Sequence, residues 1–180
     1  MTNAFATRAR PRRERGAALI ISLIILLAMT VIGVTAARTT TLQERMAGNL
    51  RQHSVAFEAA ETTLRHGEAW VSSQIGGPRP QAVAPASCSA PPCDVLTLND
   101  LDPLDKATWT GSQVQDGPHI ADAASDPQYF IEQQQIVRDS LNAGQSTDES
   151  ARIYYRVTAR AVGGTGTAVS ILRSTYAARF

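Results

Sequence analysis

The spacing of hydrophobic positions changes twice along the chain. From Gly16 to Ala37, 22 residues pass without a charge. As a helix at about 1.5 Å per residue they reach about 33 Å, enough to cross a bilayer's hydrocarbon core. Beyond Ala37, apolar or small residues recur at Leu42, Met46, Leu50, His53, Phe57, Ala60, Leu64, Gly67, Val71 and Ile75. Those steps of three and four are the helical period. No proline lies between Pro11 and Pro78, and the first stop is Gly76-Gly77-Pro78, where glycine accepts the left-handed cap and proline cannot continue. The pattern predicts one helix from Gly16 to Ile75, on the order of 90 Å long. Its weak points are Thr30, Gly33 and Gly48, through β-branching or low propensity.

Period-two alternation takes over near the end of the chain. Tyr129-Phe130-Ile131 through Ile136-Val137 reads as a strand. Ile153, Tyr155, Val157, Ala159 and Ala161 alternate with Tyr154, Arg156, Thr158 and Arg160 as a half-buried strand does, and Ala168 to Tyr176 alternates likewise. Gly163-Gly164-Thr165-Gly166-Thr167 joins the last two as a hairpin connection. It is not a phosphate loop, because no Gly-Lys-Ser/Thr follows and both flanks are strands. Three or four antiparallel strands are expected to lay an apolar face on the helix and hide Phe57, Leu64 and Val71. From Gly76 to about Asp126 the hydrophobic residues show no period, and loops with short elements are expected. Trp109 is expected to pack this stretch onto the helix. The fold class is α+β, a long N-terminal helix on a small antiparallel sheet.

Charge decides the topology. Arg8, Arg10, Arg12, Arg13 and Arg15 precede the apolar run against one acid, Glu14, so the short flank is expected to stay cytoplasmic and the body outside it. The formal net charge of +1 is misleading, since without residues 1–16 there are 12 basic and 15 acidic residues, a net of −3. Nothing basic is left over for nucleic acid, and the arginine run reads as topogenic. Three readings of the start compete: a secretory signal cut after Thr35-Ala36-Ala37, a plain anchor, and a leader cut ahead of the apolar run. The run is longer than the usual apolar region of a secretory signal.

Candidate chemistry is sparse. The two cysteines, Cys88 and Cys93, lie in a Pro-rich stretch. Outside the cytoplasm a disulfide is the leading reading; zinc is the rival, without nearby residues to complete four ligands. Asn99-Asp100-Leu101-Asp102-Pro103-Leu104-Asp105 gathers oxygens suited to calcium, but the spacing departs from an EF-hand, and a solvated turn capping a short helix is favoured. His53, His66 and His119 stand in no metal or nucleophile-base spacing, and no serine lies in a Gly-x-Ser-x-Gly elbow. Glu58, Glu61 and Glu68 read as a solvated helix face, with Glu61 and Arg65 at the supportive i,i+4 spacing. No catalytic residue, metal, cofactor or small-molecule substrate is expected.

A long N-terminal helix, apolar in its first third and amphipathic afterwards, behind a basic leader ending in glycine, resembles a type IV pilin. Residues 15–23 (RGAALIISL), 38–50 (RTTTLQERMAGNL) and 56–61 (AFEAAE) resemble the N-terminal signature of PilX-type minor pilins. Tyr155 through Arg160 and Ser174 through Tyr176 are similar to that family's end. The resemblance implies cleavage by prepilin peptidase between Gly16 and Ala17, and N-methylation of Ala17. It places Ile21 at the fifth mature position, where major pilins carry a glutamate that pairs with a neighbour's amino terminus. A subunit without that carboxylate is most easily tolerated at the tip of a pilus or pseudopilus, where nothing further docks above it. The implied organisation is a leader over 1–16, a transmembrane and assembly helix over 17–37, its amphipathic continuation over 38–75 and a head over 76–180.

The implied function is a minor pilin that joins other minor and major pilins, primes pilus assembly and supports attachment and twitching motility. It implies an inner-membrane protein, handled by the pilus assembly machinery, with its C-terminus in the periplasm before entry into the extracellular pilus. Small side chains at Ala17, Ala18, Ser22, Ala28, Gly33, Ala36 and Ala37 permit close helix approach. Two alternatives stay open: a single-pass envelope protein whose head binds a ligand or partner, and a K-type pseudopilin of type II secretion, a class that usually carries a much larger head.

Overall fold

A computed structural model describes residues 15–88, 93–98, 101–138 and 151–180. The chain forms two units, one up to Ala47 and one from Gly48 onward. Helix α1, Arg15–Ser73, supplies every described residue of the first unit and opens the second. It is helical without interruption at Thr30, Gly33 and Gly48. It ends two residues short of the expected Ile75, in a turn where Gly76 takes φ 91°, a conformation glycine adopts at no steric cost.

The second unit is an α+β head. Its five strands are β1 (Leu96–Thr97), β2 (Gln115–Asp116), β3 (Gln128–Arg138), β4 (Ala151–Val162) and β5 (Val169–Arg179). The sheet order is β1-β3-β4-β5, with β2 also pairing β3. The three long strands are antiparallel, as their alternation predicts, and β4 pairs β5 from Arg152↔Arg179 to Val162↔Val169 without a break. The sheet is nevertheless mixed, because β1 runs parallel to β3. Strands of two residues carry no period from which they could be read. The β4–β5 connection turns through Gly166, at φ 74°. Gly163 crosses so close to the helix that a Cβ there would lie 2.5 Å from the Gln52 carbonyl oxygen.

Ile153, Tyr155, Val157, Ala159 and Ala161 of β4 all turn inward and are buried, against the later part of α1. The helix stripe that meets them is Ala56, Ala59, Ala60, Thr63, Gly67 and Val71. It differs from the expected one. Val71 is hidden, Leu64 is half-buried, and Phe57 remains 48% exposed. The reason is the closeness of the helix to the sheet: a Cβ on Gly67 would meet Val157 Cγ1 at 2.7 Å, and one on Gly117 would meet Thr63 Cγ2 at 2.6 Å. At that separation only small residues fit the seam, and the bulky Phe57 is turned out of it.

Trp109 also departs from expectation. It packs on Phe130 with ring centroids 5.3 Å apart, and Leu96 completes the cluster. Phe130 alternates with Tyr129 and Ile131, so this cluster lies on the face of the sheet away from the helix. Its indole N–H donates to the Pro103 carbonyl at 2.9 Å. The loops therefore cover the β3 side of the second face, where the sequence alone offered no period to assign them.

Candidate assembly surfaces

Within the first unit, every residue from Gly16 to Ala47 is exposed. Large apolar side chains stand exposed at Leu19, Ile20, Ile21, Leu23, Ile24, Ile25, Leu26, Leu27, Met29, Val31, Ile32 and Val34, and beyond the charge-free run at Leu42 and Met46. This is the one helix among the described residues long and apolar enough to cross a membrane. Burying such side chains against lipid or another helix removes apolar area from water at about 25 cal/mol per Å². The helix exposes no unsatisfied hydroxyl to an apolar solvent. Ser22, Thr30 and Thr35 donate to the carbonyls of Leu19, Leu27 and Val31 at 2.9, 2.7 and 2.8 Å. Thr39, Thr40 and Thr41 bond back in the same way to Thr35, Ala36 and Ala37. Such internal bonds let hydroxyls enter hydrocarbon at little cost.

Gly16 and Ala17 lie in the first turn of α1, and a Cβ on Gly16 would touch nothing within 4 Å. Ile21 is 57% exposed and places an aliphatic side chain, with no charge, near the N-terminal end of this apolar segment. Gly33 and Gly48 likewise stand open. The arginines from Arg8 to Arg13 fall outside the described residues.

The head places its cysteines together. Cys88 and Cys93 are joined by a disulfide, with Cα atoms 6.0 Å apart. The Ser112 hydroxyl donates to the Cys88 carbonyl at 2.5 Å, and Cys93 packs against the Leu96, Trp109 and Phe130 cluster. The bridge therefore ties the loop to the second face of the sheet. In the acidic stretch, Asn99 and Asp100 lie outside the described residues. Asp102 Oδ1 accepts from the Leu104 N–H and Asp105 Oδ1 from the Ala107 N–H, both at 2.9 Å. Asp105 so caps the 3₁₀ turn Lys106–Thr110. Among the described residues no group of three or more His, Cys, Asp or Glu is placed to hold a metal ion.

The other polar candidates have ordinary surroundings. Glu61 and Arg65 form their i,i+4 ion pair. His66 meets Tyr129 edge-on at 5.8 Å, and His119 Nδ1 lies 2.6 Å from Asp126 Oδ1. A shallow groove of about 310 Å³ runs between α1 and the loop before β3, lined by Val55, Glu58, Ala59, Thr62, His119, Ile120 and Asp122. Burial raises the Tyr129 hydroxyl above its ordinary pKa of 10, with the Asp94 charge adding to the effect. Tyr129 also donates to Gln115 Oε1 at 2.8 Å.

One polar feature escaped the sequence reading. Glu132 is fully buried on β3, and its Oε2 accepts from Arg156 Nε at 2.9 Å across the β3–β4 register. The signal was available: a glutamate inside an apolar strand requires a cation, and Arg156 stands in the next strand. Sequence alternation placed both residues without showing that they face each other.

Two family models match the chain: PilX N-terminal, over residues 15–65, and type IV pilus assembly protein PilX C-term, over residues 52–178. No curated protein and no solved structure matches it.

Proposed function

The chain belongs to the PilX family of type IV pilus assembly proteins, and from that premise we propose how its helix and head are used. It is a type IV pilus minor pilin, a structural component anchored to membrane by its apolar helix. Prepilin peptidase removes residues 1–16 by cutting between Gly16 and Ala17, and the new amino terminus at Ala17 is N-methylated. Residues 17–37 then hold the subunit in the inner membrane, with the head over 76–180 in the periplasm. Residues 38–75 continue the helix into that head.

Assembly exchanges one apolar environment for another. The pilus machinery extracts the helix from lipid as it packs beside the helices of other minor and major pilins, with Ala17, Ala18, Ser22, Ala28, Gly33, Ala36 and Ala37 allowing close approach. Ile21 brings no carboxylate to pair with a neighbour's amino terminus, which suits a position near the filament tip. From there the subunit primes assembly and supports attachment and twitching motility.

The observation that supports this reading best is the charge-free segment that begins at Gly16, fully exposed and with its hydroxyls satisfied by its own backbone. The test is the intact mass and amino-terminal sequence of the protein isolated from its own bacterium. The expected chain begins at N-methylated Ala17. A start at Arg38 would mean a secreted domain, and an intact leader a tethered one; either result sinks the processing reading.

A further inference from the structure

The charge-free run ends on an arginine. Arg38 follows Ala37 directly, and Arg45 and Arg51 come soon after it, against one carboxylate, Glu44, before Glu58. With the head outside the cytoplasm, this flank runs counter to the positive-inside tendency, which the five arginines ahead of Gly16 outweigh. Arg38 and Arg45 are exposed, and no hydrogen bond or ion pair among the described residues engages either guanidinium. They stand two turns apart on one face of α1, about 10 Å along the axis, and Glu44 lies about 100° or more round the helix from both.

Arg38 joins two shallow grooves on that face. The one toward the apolar run holds about 270 Å³ and is lined by Thr30, Val31, Val34, Thr35 and Arg38; the other holds about 300 Å³ and is lined by Arg38, Thr41, Leu42 and Arg45. The hydroxyls of Thr30, Thr35 and Thr41 bond back to the Leu27, Val31 and Ala37 carbonyls. The guanidinium groups are therefore the donors that this face offers a ligand, and their planar fork suits a phosphate. A face that is aliphatic at membrane depth and cationic just beyond it matches the polarity of a phospholipid, chain on one side and charged head on the other. An acidic polypeptide would use the arginines alone, whereas one lipid fills both grooves. We propose that this face holds an anionic glycerophospholipid of the periplasmic leaflet, its acyl chain along Val31 and Val34 and its headgroup phosphate between Arg38 and Arg45. The bound lipid fixes the depth of the helix before assembly, and extraction into a filament has to displace it. The proposal rests on the reading that residues 17–37 span the inner membrane with the head in the periplasm.

The experiment reconstitutes the full chain in phosphatidylcholine vesicles that contain a trace of phosphatidylglycerol or of phosphatidylcholine, each bearing the same photoactivatable acyl chain. Labelled residues are mapped by mass spectrometry. The anionic probe should label Thr30–Thr35 several-fold more than the neutral one, on Val31 and Val34 ahead of Ile32 and Gly33. Arg38→Gln and Arg45→Gln should each lower that labelling about fivefold, the effect of one arginine beside an anionic headgroup. Arg51→Gln, the same loss of charge farther along, should leave it unchanged. Labelling near Ala17, where the arginines ahead of Gly16 attract the same probe, should persist in all three variants. Alkaline extraction of the same vesicles separates the two readings. A chain that washes out overturns the membrane span and the lipid site with it, whereas a chain that stays and is labelled equally by both probes overturns the site alone. An equal fall with Arg51→Gln marks diffuse attraction, and suppression by millimolar inorganic phosphate marks a site for free anions; each overturns the proposal.

Discussion

Residues 17–37 and residues 56–71 belong to one helix and solve opposite problems. The first segment turns leucine, isoleucine and valine outward on every side; the second presents a stripe of Ala56, Ala59, Ala60, Thr63 and Gly67 to a fixed sheet. Large aliphatic side chains suit a solvent that can rearrange, whether lipid or neighbouring helices, because no single shape has to be matched. A preformed sheet demands a matched shape. The seam there is narrow enough that one Cβ at Gly67 would collide with Val157. Helical propensity does not separate the two segments; what each must touch does.

The comparison can be broken most forcefully by charging the first segment. Val31→Asp places a carboxylate in the apolar run, at a cost of about 3 kcal/mol near the centre of a membrane helix. Membrane integration of the full chain, read by alkaline extraction, should fall sharply, while the urea midpoint of the head stays where it was. A shift in the head's midpoint would mean that the first segment is not energetically separate from it.

The next effect belongs to the seam. Gly67→Leu should destabilise the head by about 1–3 kcal/mol through overpacking against Val157 and Tyr129. Gly33→Leu, where nothing lies within 4 Å of the added Cβ, should leave the head unchanged. If both variants unfold alike in urea, helix propensity and not fit governs this helix. Phe57→Ala sharpens the same point: with 48% of its surface exposed, its loss should move head stability far less than Gly67→Leu does.

How much of this was legible in the sequence follows the same division. The apolar run, its helical continuation and the three long strands each carry a period, and each was read to within a few residues. A helix stop before Gly76-Gly77-Pro78 and a glycine-bearing turn over 163–167 followed from glycine and proline chemistry, although the helix ends at Ser73 and not at the expected Ile75. Which side of the helix would be buried did not, because Phe57, Leu64 and Val71 satisfy the helical period as well as Ala56, Thr63 and Gly67 do. Periodicity ranks positions by hydrophobicity, whereas the seam ranks them by size. The loop over Phe130 was unreadable for another reason. Its strands β1 and β2 are two residues each, and their places are fixed by contacts with β3 that are distant in sequence.

That loop gives a smaller prediction. Cys88 and Cys93 close a short loop, so reducing the bridge or replacing both residues with serine should cost about 2 kcal/mol by restoring freedom to the unfolded chain. The loss should appear first as faster amide exchange around Leu96 and Trp109, on the face away from the helix. Faster exchange confined to α1 would contradict the placement of the loop.

The smallest effect concerns a single atom. Tyr155 is fully buried at the centre of the helix-facing core, and its hydroxyl has no hydrogen-bond partner among the described residues. A buried hydroxyl without a partner loses its hydration and regains nothing, so Tyr155→Phe should leave stability at neutral pH unchanged or raise it by up to about 1 kcal/mol. Burial also raises its pKa above 10, with the Arg79 charge pulling the other way. The folded state therefore holds this proton more tightly than the unfolded one. The resulting stability is complete below pH 10 and is lost as pH rises above it toward the folded value. Tyr155→Phe should remove that part of the alkaline decline and leave the part due to Tyr129, whose pKa is raised as well. Urea titrations of both proteins at neutral pH and in the alkaline range check both arms. A neutral-pH loss greater than about 1 kcal/mol would show that the hydroxyl has a partner in solution.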